Sequence, residues 1–190
     1  MNAQLPPLIL ASASPRRSDL LRQLRLEFSV IPGHAPEVQP EHLTARETAL
    51  INAYRKARLI AKKHPDSVVL GADTIVSLGQ RLYGKPVDRA DAARMLGELQ
   101  GHTHEVITGV CLVQLRQHRQ SIFAVGTEVT FRCLLPSDIE AYLDRINPLD
   151  KAGAYAIQEH GDSIVESIHG SFSNVVGLPL ERLERELASW

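Results

Sequence analysis

The 190-residue sequence has just two cysteines, Cys111 and Cys133, both in strand-like apolar runs. They read as small core side chains rather than a disulfide framework or a metal pair. An excess of one charge sign is also missing: 21 Lys and Arg stand against 22 Asp and Glu, a formal net charge of −1. That balance implies no bulk attraction to nucleic acid or an anionic membrane and leaves room for a local basic site alone. No apolar run is long enough to span a bilayer. Met1–Pro7 lacks the charged and apolar regions of a signal peptide, so a cytoplasmic location is expected. The sequence has no repeats, low-complexity tracts or obvious linker. What it does have is 44% hydrophobic and 23% charged residues. That suits a globular chain of one domain, or one domain with a small second lobe, around a sizeable core.

The most informative stretch is the first. Leu8–Leu10 is a short apolar run, as in a buried strand, and Ala11-Ser12-Ala13-Ser14 leave room for close approach to the backbone. Ser14 suits a helix cap with Pro15 at the first position. Arg16 and Arg17 then fall in the first turn, where the helix end is already positive. A phosphate would satisfy both features; two solvated surface arginines remain the other reading.

Further along, Leu20, Leu21 and Leu24 recur at helical spacing, and Phe28–Ile31 alternates like a strand. Residues 34–42, with Pro36, Glu37 and Pro40, read as a loop. Thr44-Ala45-Arg46-Glu47 is a capping box for a helix to about Lys63, with Leu50, Ala53, Tyr54, Ala57 and Ile60 as its buried stripe. Lys56 lies off that stripe and by itself reads as a surface lysine. Ser67–Thr74 is an apolar β-branched run closing on Gly71-Ala72-Asp73-Thr74. An aspartate at the end of a core strand is costly unless paired or bound to a cation, and α/β folds place ligand chemistry at strand ends. Asp73 is therefore a candidate functional residue. Gly79-Gln80 reads as a hairpin turn, with Lys85 between Gly84 and Pro86 just after it. Asp88 caps a helix that buries Met95, Leu96 and Leu99. His102 and His104 would share a strand face, more as strand-edge polar residues than as metal ligands. Two long strands, 105–115 and 120–134, precede a second capping box at Ser137–Glu140. Asp150–Gln158 gathers small residues around Tyr155 and Gln158 and suggests a ligand wall. A strand over 163–168, a turn at His169–Asn174 and a last helix from Pro179 complete the chain.

Six separated stretches, Ser12–Arg17, Gly71–Thr74, Gly84–Pro86, Thr108–Val110, Asp150–Tyr155 and Asn174–Pro179, occur together and in order. In these the chain resembles the Maf family of nucleoside triphosphate pyrophosphatases, from about Leu8 to Leu180. The resemblance implies a single two-lobed α/β domain over residues 1–190. Its mixed sheet would be flanked by helices and related to the inosine triphosphatase fold, with the site in a cleft between the lobes. It also implies a divalent cation, Mg or Mn, and a homodimer, with neither a membrane nor a stable nucleic-acid complex as partner. The run from Asp150 to Tyr155 followed by Ile157-Gln158 is similar to the branch acting on dTTP and UTP. Two departures stand out: His34-Ala35-Pro36 precede a single acid, Glu37, where the family's loop is more acidic, and Glu159 and Asp162 replace small residues.

The reaction so implied is hydrolysis between the α- and β-phosphates of a nucleoside triphosphate, giving the monophosphate and pyrophosphate. The resemblance makes Asp73 the proton acceptor and, with Glu37, a cation ligand. Arg16, Arg17, Lys56 and Lys85 would clamp phosphate oxygens, with Ser12 and Ser14 as added donors. Gln158, with Thr74 close by, would read the base. Alternative substrates are CTP and 7-methyl-GTP. The alternative class is a non-catalytic nucleotide- or RNA-binding regulator of septum formation.

Overall fold

A computed structural model describes residues 6–38 and 42–190. The sequence reading of Met1–Leu5, and of residues 39–41 in the 34–42 loop, lies outside the described residues. The apolar run at the start forms β1 (Leu8–Leu10), buried at all three positions. It pairs in parallel with β2 (Phe28–Val30) on one side and with β3 (Val68–Leu78) on the other. Between β1 and β2 runs α1 (Pro15–Gln23), with Ser14 at its cap position and Pro15 first. Helix α2 (Ala45–Ala61) begins with the expected capping box: Thr44 Oγ1 accepts from the Glu47 N–H, and Glu47 Oε2 accepts from the Thr44 N–H at 2.9 Å.

Strand β3 turns back at Gly79, φ 59°, into the antiparallel β4 (Arg81–Tyr83). Asp88 caps α3 (Arg89–Leu99), which buries Met95, Leu96 and Leu99. There follow β5 (Thr103–Gln114), β6 (Arg119–Phe131), α4 (Pro136–Leu143), β7 (Val165–His169), α5 (Phe172–Val176) and α6 (Leu180–Ala188). Among the described residues seven strands form one mixed sheet in the order β2-β1-β3-β5-β6-β7, with β4 added on β3. The chain thus has the expected mixed α/β architecture.

It divides into two compact units. The first takes in the chain up to Asp73, Thr108–Val125 and Gly177–Trp190. Its core packs Ile9, Ala53, Ala57, Ile60, Val69, Cys111 and Val113. The second comprises Thr74–Ile107 and Gly126–Val176, and its core includes Leu96, Leu99, Val129, Phe131, Tyr142, Leu143 and Tyr155.

Several local readings change. The buried stripe of α2 is centred on Ala49, Ala53 and Ala57, while Leu50 and Tyr54 are only partly covered. Contact with the sheet is too close there for larger side chains. The second capping box shifts: Asp138 Oδ2 accepts from the Leu135 N–H at 2.8 Å, so the helix starts at Pro136 rather than after Ser137. The turn read over His169–Asn174 is partly helical, because Ser171 Oγ accepts from the Asn174 N–H at 3.1 Å and starts α5. Cys111 is a core residue as read, whereas Cys133 is exposed because β6 ends two residues before it.

The two histidines also part company. His102 lies before β5 and is exposed, while His104 is buried inside the second unit. His104 Nε2 is 2.8 Å from the Tyr155 hydroxyl, and its ring stands edge-on to Phe131. Burial pushes the His104 pKa down to about 4, against ~6.5 in an unfolded chain. Below pH ~6.5 the unfolded chain gains a proton that the folded chain refuses. Stability contributed by the neutral ring is therefore full above that pH, falls as pH drops, and is lost by about pH 4. A loss of about 3 kcal/mol is expected across this window. Urea denaturation at pH 7 and pH 4.5 should show wild-type protein losing more stability than His104→Phe. Equal losses would mean that His104 is not the group responsible.

Candidate active site

The site is built on a close contact between α2 and two strands. A Cβ on Gly71 of β3 would lie 2.3 Å from the Ala53 carbonyl oxygen, and one on Gly109 of β5 would lie 2.4 Å from that of Ala49. Backbone cannot yield at such distances, so both positions require glycine. Alanines on α2 complete the fit. At this range even short polar side chains on α2 reach the sheet.

The short Asn52 and the longer Lys56 both reach Asp73. Its carboxylate lies within β3, not at the strand end as the sequence suggested, because β3 continues to Leu78. Asp73 is 4% exposed. Lys56 Nζ donates to Asp73 Oδ1 at 2.6 Å and to Glu37 Oε1 at 2.7 Å. Asn52 Nδ2 donates to Asp73 Oδ2 at 3.1 Å. Lys56 is therefore buried, contrary to its reading as a surface lysine. Asn52 and Lys56 are one helical turn apart on the same face. Asn52 also holds the loop that carries Glu37. Its Oδ1 accepts from the Val38 N–H at 2.9 Å, and its Nδ2 donates to the Val38 carbonyl at 3.0 Å. Asn52 was missed in the sequence; its one signal was the i, i+4 spacing to Lys56.

At the start of α1, Ser12 Oγ accepts from the Ser14 N–H at 3.2 Å and from Arg17 Nη1 at 3.3 Å. Arg17 Nε donates to the Gly177 carbonyl at 2.9 Å. Ser14, which was expected to cap α1, makes no side-chain cap bond. Burial lowers the pKa of Arg17 most; Asp73 opposes that shift, Arg16 adds to it and Glu37 opposes it. The guanidinium stays charged, since arginine does not lose its proton in proteins. Ser12, Ser14, Arg16, Arg17, Glu37, Lys56 and Asp73 all belong to the first unit.

Thr74, Lys85 and Gln158 belong to the second. Lys85 is exposed, and Gly84 just before it accepts through its carbonyl from the Gly153 N–H at 3.0 Å. The segment around Gln158 is held hard. Lys151, 5% exposed, donates to the Asn147 carbonyl at 2.7 Å and to Asp150 at 2.8 Å, and pairs with Glu159 at 3.3 Å. The Tyr142 hydroxyl bonds both the N–H and the carbonyl of Ala156. Gly153 and Ala154 both have positive φ, 69° and 64°, and the latter is strained for a residue with a Cβ. Tyr155 does not form a ligand wall; it is buried against His104. Gln158 is exposed, and its Nε2 donates to Glu159 Oε1 at 3.4 Å.

Among the described residues no group of three or more His, Cys, Asp or Glu side chains is placed to hold a metal ion. Glu37 and Asp73 nevertheless converge on one cation, the Lys56 ammonium. Two hard carboxylates suit Mg or Mn, which use one or two carboxylates and take their other ligands from phosphates and water. The donor set therefore fits such an ion when a phosphate completes it.

A family model described as Maf-like protein matches residues 7–190. A protein of Moorella thermoacetica named dTTP/UTP pyrophosphatase is 49% identical over 183 residues, 95% of this chain and 93% of its own length. One of Gloeobacter violaceus with the same name is 47% identical over 183 residues, 96% and 95%. Among solved structures, a HAM1 protein from Coxiella burnetii aligns over 98% of this chain and 100% of its own, with TM-score 0.54 and 17% identity. The Ham1 protein of Staphylococcus aureus aligns over 96% and 98%, with TM-score 0.51 and 14% identity. At those identities the structural likeness speaks for the fold alone.

The buried ion pair makes a stability prediction that needs no substrate. Lys56→Met should cost roughly 3–5 kcal/mol, because it leaves the Asp73 charge buried without its cation. Adding Asp73→Asn should recover much of that loss. Denaturant unfolding of both single variants and the double variant measures the coupling. Simple additivity would mean that the two side chains do not depend on each other.

Proposed function

The chain belongs to the Maf family, and from that premise we propose that it hydrolyses UTP and dTTP between the α- and β-phosphates, releasing the monophosphate and pyrophosphate. The observation that carries the reading is Asp73. It is a buried carboxylate with a donor on each oxygen, electrostatically coupled to a half-buried arginine at a helix start. A protein that merely held a nucleotide would gain nothing from a carboxylate beside its phosphates.

Asp73 accepts the proton of the attacking water. Each of its oxygens is held by one donor and keeps a lone pair free for that task. Lys56 has three donors, two of them spent on Glu37 and Asp73, and the third serves a phosphate oxygen. Arg16, Arg17 and Lys85 hold the charge that builds on the leaving pyrophosphate, with the Ser12 and Ser14 hydroxyls as further donors. Glu37 and Asp73 would hold Mg or Mn. When bound, such an ion neutralises phosphate charge and lowers the pKa of the attacking water. The protein acts, on this reading, as a homodimer in the cytoplasm; the family resemblance supports the homodimer, and no stable nucleic-acid complex is part of the reading.

By the family resemblance, base choice falls to Gln158, with Thr74. Uracil and thymine present an N3–H donor beside an O4 acceptor, whereas cytosine presents the reverse. A freely turning amide would serve both. A carboxylate can only accept, so Glu159 keeps the amide N–H₂ of Gln158 on its own side, and Lys151 anchors Glu159. Glu159, which stands where the resemblance expects a small residue, has one partner on each oxygen. That arrangement supports uracil and thymine over cytosine.

Incubating the purified protein with UTP, dTTP, CTP, GTP or 7-methyl-GTP and Mg or Mn tests the reading. UTP and dTTP should give the highest kcat/KM, with pyrophosphate rather than phosphate released. Asp73→Asn should lower kcat on the order of a hundredfold or more in a folded protein. Absence of pyrophosphate from every substrate would leave a binding protein.

Glu159→Gly separates base choice from chemistry. It should shrink the UTP-to-CTP ratio of kcat/KM by about tenfold and leave UTP turnover within a few-fold. An unchanged ratio would show that Glu159 does not orient the amide.

A further inference from the structure

Asn52 lies outside all six family-like stretches, yet it is 3% exposed and both polar atoms of its amide are used. Two of its bonds go to the N–H and the carbonyl of the same residue, Val38. A side-chain amide that meets both backbone groups of one residue copies the pairing of a β-ladder. The remaining N–H goes to Asp73 Oδ2. One rigid, planar group therefore fixes two things at once: the backbone next to Glu37, and the rotation of the Asp73 carboxylate. Lys56 touches the same two carboxylates. An ammonium on a four-carbon stem is a point charge, however, and sets no plane. Lys56 contributes charge, and the geometry has to come from elsewhere.

We propose that Asn52 is a positioning residue for the pyrophosphatase reaction, its amide locking the Val38 backbone to the Asp73 carboxylate so that Glu37 and Asp73 converge on one point. This rests on the function proposed above. Asn52 is not a catalytic residue, since its donors and its acceptor are all spent on the protein. Its effect should appear in the chemical step, where misplacement by about an ångström costs on the order of a hundredfold. Substrate affinity should hardly change, because Arg16, Arg17 and Lys85 keep their places.

The test uses two variants of the full chain. Asn52→Leu keeps the volume and removes every polar contact. Asn52→Ser is small and uncharged, admits water, and serves where the leucine variant does not fold. The measurements are kcat and KM for UTP at saturating Mg, the melting temperature, and hydrogen exchange at the Val38 amide. In a variant that melts as a folded protein, kcat should fall about a hundredfold and KM should change less than about threefold, as expected when an interaction made only in the transition state is lost. Exchange at Val38 should quicken by about tenfold or more as its acceptor disappears. A folded variant with near wild-type kcat would overturn the proposal, and so would a loss carried by KM alone or unchanged exchange at Val38. Wild-type protein that releases no pyrophosphate would count against the function instead, and Val38 exchange would still decide whether Asn52 locks the loop.

Discussion

Everything at the candidate site depends on how closely α2 approaches the sheet. Where Gly71 and Gly109 face the helix there is no room for a Cβ, and α2 answers with Ala49, Ala53 and Ala57. A larger residue at any of these points would lift the helix, and the 3.1 Å bond from Asn52 to Asp73 would not survive it. Close approach has an energetic consequence. Alanine buries little apolar area, and hydrophobic stabilisation scales with that area. The first unit's core accordingly leans on Ile9, Ile60, Val69 and Val113 around the alanine contact. Short reach at the site and modest burial beneath it follow from the same constraint.

That reach is what makes a buried Asp73 tolerable. An isolated carboxylate in a core would give up its charge rather than stay ionised. Asp73 keeps a cation on one oxygen and an amide on the other. With Arg16 and Arg17 counted, three cations stand against Glu37 and Asp73, and Arg17 is electrostatically coupled to both carboxylates. Positive charge in excess suits a polyanionic phosphate chain, and carboxylates within it suit proton transfer and a divalent ion. The same device recurs in the second unit. Lys151 is buried and pairs with Asp150 and Glu159. In each case a lysine withdrawn from solvent holds two acids in fixed places.

Most of the elements were legible in the sequence because each rests on local signals. The apolar run of β1, the Thr44–Glu47 box, the Gly79 turn and the Asp88 cap all lie where the pattern puts them. The errors arise where a distant partner decides. Lys56 looks like a surface residue on a helical wheel, and only β3 across from it supplies the carboxylate that buries it. Asn52 carries no motif, since its partners are 14 and 21 residues away. His104 was read as a strand-edge residue until Phe131 and Tyr155 enclosed it. Asp73 was placed at a strand end because Gly71-Ala72 resembles a stop, whereas the glycine is there for α2. Most of the site residues came from the resemblance; the residue pattern by itself singled out Asp73, left Arg16 and Arg17 open between a phosphate site and a solvated surface, and made Lys56 an ordinary surface cation.

Lys85 apart, the groups that would handle charge and the group that would read the base are held by separate devices. Asp73, Lys56, Asn52 and Arg17 are fixed within the first unit by α2, β3 and the start of α1. Gln158 follows a segment of the second unit that spends strain at Ala154 and is pinned by Tyr142 and Lys151. A left-handed Ala154 persists only because these contacts over-determine the loop. Such rigidity would be wasted on a phosphate clamp, since charge attracts across several ångströms whatever its direction. Telling uracil from cytosine depends instead on which way one amide faces, and that demands a fixed backbone beneath it. On the function proposed above, base choice would rest on the strained, pinned segment, and substitutions in it should alter which nucleotide is cut more than how it is cut.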